Sequence, residues 1–184
     1  MQNPGKMKHS IKYITLIISA ILLISGCKKR DFAAGSDQMI VFQYDFSSKT
    51  QHHGYLIDSE GNLFTYSNPY DWNFPDNDLE ITREQVEENI GRCIYSGIKI
   101  PDEEMVKHVK VIEFIASSKV TAPKRNADEE WTAQFICYQY SENSQKYKGH
   151  IIKSEGDISR ENLNFHSKRV SSWLRDIGAG LSYD

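Results

Sequence analysis

The sequence contains little of what usually identifies an enzyme or a membrane-spanning protein. Its 184 residues include only three cysteines and six histidines, and none has the pair spacing typical of zinc ligands. The Gly-x-Ser-x-Gly motif of serine hydrolases does not occur. The N-terminal apolar run, residues 13–24, is about 12 residues long, whereas a membrane-spanning helix needs ~20. An uncleaved transmembrane anchor is therefore the weaker interpretation of that run.

Positive charge is also scarce. The chain has 22 Lys and Arg residues against 25 Asp and Glu residues, a net charge of −3. Residues 1–26 hold three of the lysines and no acid, so the rest has 19 basic and 25 acidic residues and a charge of −6. Its one basic cluster, residues 28–30, is short. Because nucleic-acid binding depends on extended basic surfaces, we expect no nucleic-acid partner.

The clearest signal in the chain lies just before Cys27. A basic start with three lysines precedes the apolar core, and the small residues Ser25 and Gly26 follow it. This order of segments is typical of a secretory signal peptide. The run Leu-Leu-Ile-Ser-Gly-Cys that ends at Cys27 resembles the lipobox of bacterial lipoproteins. The alternative is an ordinary signal peptide that precedes a chance cysteine.

The resemblance to bacterial lipoproteins implies cleavage before Cys27 and a diacylglycerol on its sulfur, usually with a further acyl chain on the new amino group. Two or more chains anchor a protein stably, so contact with the membrane through this lipid is expected. The basic residues 28–30 do not resemble the acidic stretches that mark surface-exported lipoproteins of Bacteroides-like bacteria, and no Asp directly follows the cysteine. Both features favour an outer-membrane anchor that faces the periplasm.

This resemblance divides the chain into three segments. Residues 1–26 are interpreted as the signal peptide. Residues 27–38 are interpreted as the lipidated cysteine and a flexible tether, because they lack apolar periodicity. Residues 39–184 are long enough for one domain with its own core.

Patterns of alternating apolar and polar residues predict about five strands. Two hairpins are expected, one near each end of the domain, and Gly61 with Asn62 supplies the turn of the first. The predicted strands cover residues 40–46, 55–58, 63–66, 131–138 and 147–153.

Helical spacing predicts about three helices. The first covers residues 82–95 and begins with a capping box formed by Thr82 and Gln85. The second follows Pro101 and continues to residue 116, although its β-branched part, residues 109–115, is also compatible with a strand. The third carries its apolar face near residues 170–177. The predicted fold class is α+β, an antiparallel sheet with helices packed on one face.

Cys93 and Cys137 are the two cysteines of the predicted domain. Both lie on apolar faces of predicted elements, and an envelope location permits a disulfide. The alternative is two buried free thiols, since free cysteine is often a small core residue. The sequence leaves both readings open.

The most unusual stretch of the domain is the predicted connection over residues 69–80. Long connections often carry function, and aromatic residues are enriched at the centres of protein interfaces. The alternatives are that these rings pack as a small satellite core, or that Asp76, Asp78 and Glu80 hold a calcium ion. The candidate binding residues are Tyr70, Asp71, Trp72, Phe74, Asp76 and Asp78.

These features predict a non-enzymatic envelope lipoprotein that binds another protein or an envelope component, and an inhibitor or immunity-type protein fits this prediction. The sequence provides no catalytic set, and no cofactor or metal is expected. The competing hypothesis is a lipid-anchored hydrolase that acts on cell-wall or glycan material. A structural spacer is a third possibility. An envelope partner and the membrane itself are the interactions expected from the sequence.

Overall fold

A computed structural model describes residues 40–183 of the chain. The signal peptide, Cys27 and the tether lie outside the described residues. In the described part, no helix has the length and apolar character required to cross a bilayer.

One antiparallel sheet of nine strands forms the centre of the domain. Its order is β5-β3-β2-β1-β7-β8-β9-β6, and β4 pairs with β8 beside this path. The strands are β1 (Ile40–Ser48), β2 (His52–Ile57), β3 (Asn62–Ser67), β4 (Glu80–Thr82), β5 (Ile94–Lys99), β6 (Lys124–Arg125), β7 (Trp131–Ser141), β8 (Lys146–Gly156) and β9 (Ile158–Glu161).

All five predicted strands and both hairpins are present, but the expectation of about five strands is too low. The four additional strands are β4, β5, β6 and β9. Three of them have four residues or fewer, too short for an alternating pattern to stand out. The fourth, β5, lies at an edge of the sheet and is mostly exposed, so it lacks the buried face that produces alternation.

The helices are α1 (Arg83–Gly91), α2 (Asp102–Val109), α3 (Ile112–Ala116) and α4 (Phe165–Gly178). The capping box of α1 is confirmed by two hydrogen bonds. The backbone N–H of Gln85 donates to the Thr82 hydroxyl, and the backbone N–H of Thr82 donates to the side-chain oxygen of Gln85. The helix ends at Gly91, and part of the predicted helix is β5 instead. The second predicted helix is divided into α2 and α3.

Helices pack on both faces of the sheet, so the expectation of one covered face is wrong. Alternate residues of β1 show why: Phe42 belongs to one hydrophobic cluster and Val41 to the other. The first cluster includes residues of α2, α3 and α4, and the second includes Val86 of α1. A sheet that buries both faces needs cover on both.

Cys93 and Cys137 are free thiols that lie on opposite faces of this sheet. Cys137 belongs to the first cluster, whereas Cys93 packs against the second. Burial raises the pKa of each thiol to about 12. In this structure the two cysteines are thus free thiols, the second of the two alternatives, and the sheet lies between their side chains.

Candidate functional site

All six candidate binding residues lie on one loop, residues 68–79, between β3 and β4. The loop is ordered by its own side chains. Oδ1 of Asp76 accepts the backbone N–H groups of Asp78 at 2.9 Å and Glu80 at 2.8 Å. These bonds, chiefly the one from Glu80, hold the pKa of the Asp76 carboxyl below its usual value. Asp76 therefore shapes the loop.

Two residues attach the middle of the loop to helix α1. The backbone N–H of Asn73 donates to Oδ1 of Asn89, and Nδ2 of Asn89 donates to the carbonyl oxygen of Asn73. A side-chain bond from Asn73 to Glu88, at 2.8 Å, adds to this pairing. Because Asn89 is buried, its two bonds to Asn73 are partly shielded from competition with water, whereas the bond to Glu88 is exposed.

The end of the loop is attached to strand β8. Nζ of Lys148 donates to the carbonyl oxygen of Asp78 at 2.5 Å. The backbone N–H of Gly149 donates to the carbonyl oxygen of Leu79 at 2.7 Å. Leu79 has a φ of 61°, a conformation that a branched side chain rarely adopts. The bonds on either side of Leu79 hold the backbone in this conformation.

Two acidic residues of this region, Glu80 and Asp76, are engaged within the protein. Glu80 pairs with Lys146 at 3.0 Å and with Lys148 at 3.7 Å. One oxygen of Asp76 already accepts two backbone N–H groups. Among residues 40–183, no cluster of three or more His, Cys, Asp or Glu side chains is arranged to hold a metal ion. The arrangement gives the calcium alternative no support.

The aromatic residues of the loop divide into two groups. Trp72 is half-buried and packs against Tyr66, with 4.3 Å between ring centroids, so it extends the second cluster as a satellite core residue. Phe74 is 63% exposed and Tyr70 85% exposed. Phe74 stacks one side of its ring on His52, with centroids 5.5 Å apart. The loop thus presents two large rings to solvent.

Beneath the loop lies a polar cluster that sequence reasoning missed. Oδ1 of Asp45 accepts from the Tyr66 hydroxyl at 2.6 Å, and it lies 2.8 Å from Nε2 of His52. Nε2 of Gln43 donates to the Tyr66 hydroxyl at 2.9 Å. Burial, together with the Asp45 charge, raises the pKa of Tyr66 well above its usual value.

Gly54 makes this cluster possible. A Cβ at that position would lie 2.1 Å from the carbonyl oxygen of Tyr44 and 2.6 Å from the Tyr66 hydroxyl. The missing side chain lets the Tyr66 ring cross strand β2 and reach Asp45. One feature of the sequence indicates such a cluster: Gln43 and Asp45 are polar residues on the same strand face as the apolar Val41.

The cluster borders a cavity of about 50 Å³ that Trp72, Phe74 and Asn73 help to line. This volume has room for a few water molecules. Ligand pockets usually measure about 300–1,000 Å³, so this cavity does not fit a sizeable ligand.

The chain was compared with protein-family models, curated proteins and solved structures. No protein-family model, curated protein or solved structure matches the chain. Function is therefore inferred from the residues and their geometry.

Proposed function

We propose that this protein is a lipid-anchored envelope protein that binds another protein through the 68–79 loop, as an inhibitor or immunity-type protein does. The observation that carries the binding part is the exposure of Tyr70 and Phe74 on an ordered backbone. Aromatic side chains often contribute most of the binding energy of an interface. A loop that is ordered before binding loses little conformational entropy when the partner arrives.

The charge near these rings indicates the chemistry of the partner. Asp71, Asp76 and Asp78 are exposed on the same loop as the two rings. An apolar centre with a charged rim is the usual anatomy of a protein interface. The partner surface that complements this loop has an apolar recess with basic residues around it.

The anchor part of the proposal rests on the sequence around Cys27. Cys27→Ala should move the protein from the membrane fraction to the soluble fraction of the envelope. Ser36→Ala, in the proposed tether and outside the lipobox run, is the control and should leave the protein bound. Retention of Cys27→Ala in the membrane would contradict lipidation. Proteinase treatment of intact cells tests the proposed orientation, because a periplasm-facing protein resists digestion until the outer membrane is opened.

The binding part is tested by capture from an envelope extract. A soluble form that begins at Asp31 is immobilised, and retained proteins are identified by mass spectrometry. The double variant Tyr70→Ser/Phe74→Ser should lose the partner. Phe165→Ser removes a ring that is 81% exposed elsewhere on the surface, and this control should retain it. Equal retention by all three forms would exclude the loop as the binding surface.

A second function, the lipid-anchored hydrolase, has one observation in its favour. The Asp45–His52 pair, with 2.8 Å between Oδ1 and Nε2, resembles the carboxylate–imidazole pairs that move protons in hydrolases. Hydrolysis of purified peptidoglycan or envelope glycan by the wild type, and its loss in Asp45→Asn, would support this alternative. No hydrolysis by the wild type would leave the polar cluster with a structural role.

A further inference from the structure

A second and larger cavity lies on the opposite face of the sheet from the 68–79 loop. It measures about 400 Å³ and lies among strands β1, β7 and β8, helix α4 and the residues that follow this helix. This volume falls within the range of small-molecule pockets, about 300–1,000 Å³. The proposed binding loop contributes no residue to its lining.

Aromatic rings form one wall of the cavity. Phe46 and Trp131 both line it and stack with an interplanar angle of 18° and 5.9 Å between centroids. His53 stacks on Phe46 at 4.6 Å, and Tyr183 lies 4.7 Å from His53. This row of rings follows from the strand register, which places Phe46 opposite His53. Such a wall favours a flat apolar ligand.

Polar groups lie at defined places in this mainly apolar lining. Arg175 and Glu155 both line the cavity, and Nη2 of Arg175 lies 2.7 Å from Oε2 of Glu155. Lys153 also pairs with Glu155, at 2.6 Å. Two cations therefore share one carboxylate. Arg175 and Glu155 are the charged residues of the lining and their charges balance, while Lys153 offsets part of the Glu155 charge from outside the lining. The guanidinium has five N–H donors, so it can bind an acid while it keeps Glu155.

We propose that this cavity binds a small aromatic anion. Its ring would lie against Phe46 and Trp131, and its acid group would bind Arg175. A sugar is a poorer match, because most of the wall offers a sugar's hydroxyl groups no hydrogen-bond partner. This site goes beyond the proposed protein-binding function, since it uses different residues on the other face of the sheet.

The test compares 1-naphthoate with 1-naphthamide, which have nearly the same shape but differ in charge. Isothermal titration calorimetry is performed on the whole chain carrying Cys27→Ala. We expect 1-naphthoate to bind about tenfold or more tightly than 1-naphthamide, the effect of one charge-assisted hydrogen bond. Equal affinities, or no binding of 1-naphthoate at millimolar concentration, would overturn the proposal.

Three variants locate the binding. Arg175→Gln should lower the affinity for 1-naphthoate to that for 1-naphthamide and leave the amide unaffected. Ala179→Leu, at an exposed residue of the lining, should weaken both compounds by filling the cavity. Arg169→Gln, on the exposed side of the same helix, is the control and should bind as the parent chain does. Circular dichroism checks that each variant is folded. Unchanged binding in Arg175→Gln and Ala179→Leu would place the probe elsewhere and overturn the proposal.

Discussion

Asn73 and Asn89 bind each other through two hydrogen bonds that join the 68–79 loop to helix α1. The backbone N–H of Asn73 donates to Oδ1 of Asn89 at 2.9 Å, and Nδ2 of Asn89 donates to the carbonyl oxygen of Asn73 at 2.8 Å. Asn89 is only 5% exposed. The exposed rings of Tyr70 and Phe74 are therefore carried by a backbone that is already fixed, which is the physical basis of the proposed binding surface.

Asn89→Ala should loosen the loop and destabilise the domain. The change leaves the N–H and carbonyl groups of Asn73 without their partner, and each buried unsatisfied group costs about 1–3 kcal/mol. Urea unfolding measures the loss of stability, and hydrogen exchange at the Asn73 amide measures the loosening. Asn77→Ala, at an exposed position of the same loop, is the control. Equal stability of the two variants would contradict the role of the Asn73–Asn89 pair.

Trp72 and Phe74 should differ in what their removal does. Trp72→Ala removes a half-buried ring that packs on Tyr66, and we expect a loss of about 1–3 kcal/mol in the free energy of unfolding. Phe74→Ala should cost less than about 1 kcal/mol, because its ring is mostly exposed and its one ring contact is the stack on His52. Chemical denaturation of both variants measures this difference. A larger loss from Phe74→Ala would show that Phe74 is a core residue and not an interface residue.

Acidification should destabilise the domain through His108. This residue is 3% exposed and stacks on Trp173, with 4.0 Å between ring centroids. Burial lowers the pKa of His108, and nearby Glu104 opposes this effect only in part. Below the unfolded pKa of about 6.5, the unfolded chain binds a proton that the folded protein does not, so stability falls as the pH decreases. The slope approaches at most ~1.4 kcal/mol per pH unit.

His108→Phe separates this effect from other acid-sensitive groups. Phenylalanine can keep the stack on Trp173 and removes Nδ1, a buried nitrogen that has no partner within the described residues. Between about pH 7.5 and about pH 5.5, the wild type should lose more stability than the variant in parallel urea titrations. A constant difference between the two proteins over this range would contradict the assignment to His108.

The two cysteines of the domain should remain reduced. The sheet separates Cys93 from Cys137, and burial raises the pKa of both thiols to about 12. Because the thiolate is the reactive form, both should react slowly with a thiol reagent in the folded protein and quickly after unfolding. The variants Cys93→Ser and Cys137→Ser each lack one thiol, so comparison with the wild type shows which cysteine gives each reaction rate. A Cys93–Cys137 peptide pair in a non-reducing digest would contradict this account.

Local patterns in the sequence predicted the elements that bury one clear face. Strand β1 alternates between two clusters, and the capping box marks the start of α1. Strand β5 was not predicted, because its residues are mostly exposed and pair with β3 at the sheet edge. Its pairing depends on the tertiary position of β3, which local periodicity does not contain.

The sequence predicts the 69–80 segment as a connection between elements, and the structure shows roles for its residues that local patterns do not contain. Sequence composition identified the loop, but Trp72 and Asp76 are structural members of it. The cluster of Asp45, His52 and Tyr66 depends on three strands in register and on the space left by Gly54. Such a convergence of distant residues has no short motif and becomes visible only in the folded chain.

The most direct test of the central claim is the affinity of the captured envelope partner for the wild-type loop and for Tyr70→Ser/Phe74→Ser. Each ring, if it is an interface hot spot, contributes about 1–2 kcal/mol or more. The account therefore predicts that the double variant binds at least ~30-fold more weakly in calorimetry, while its free energy of unfolding falls by less than about 1 kcal/mol. Phe165→Ser should bind as the wild type does. Equal affinities of the wild type and the double variant would contradict the claim that this loop is the binding surface.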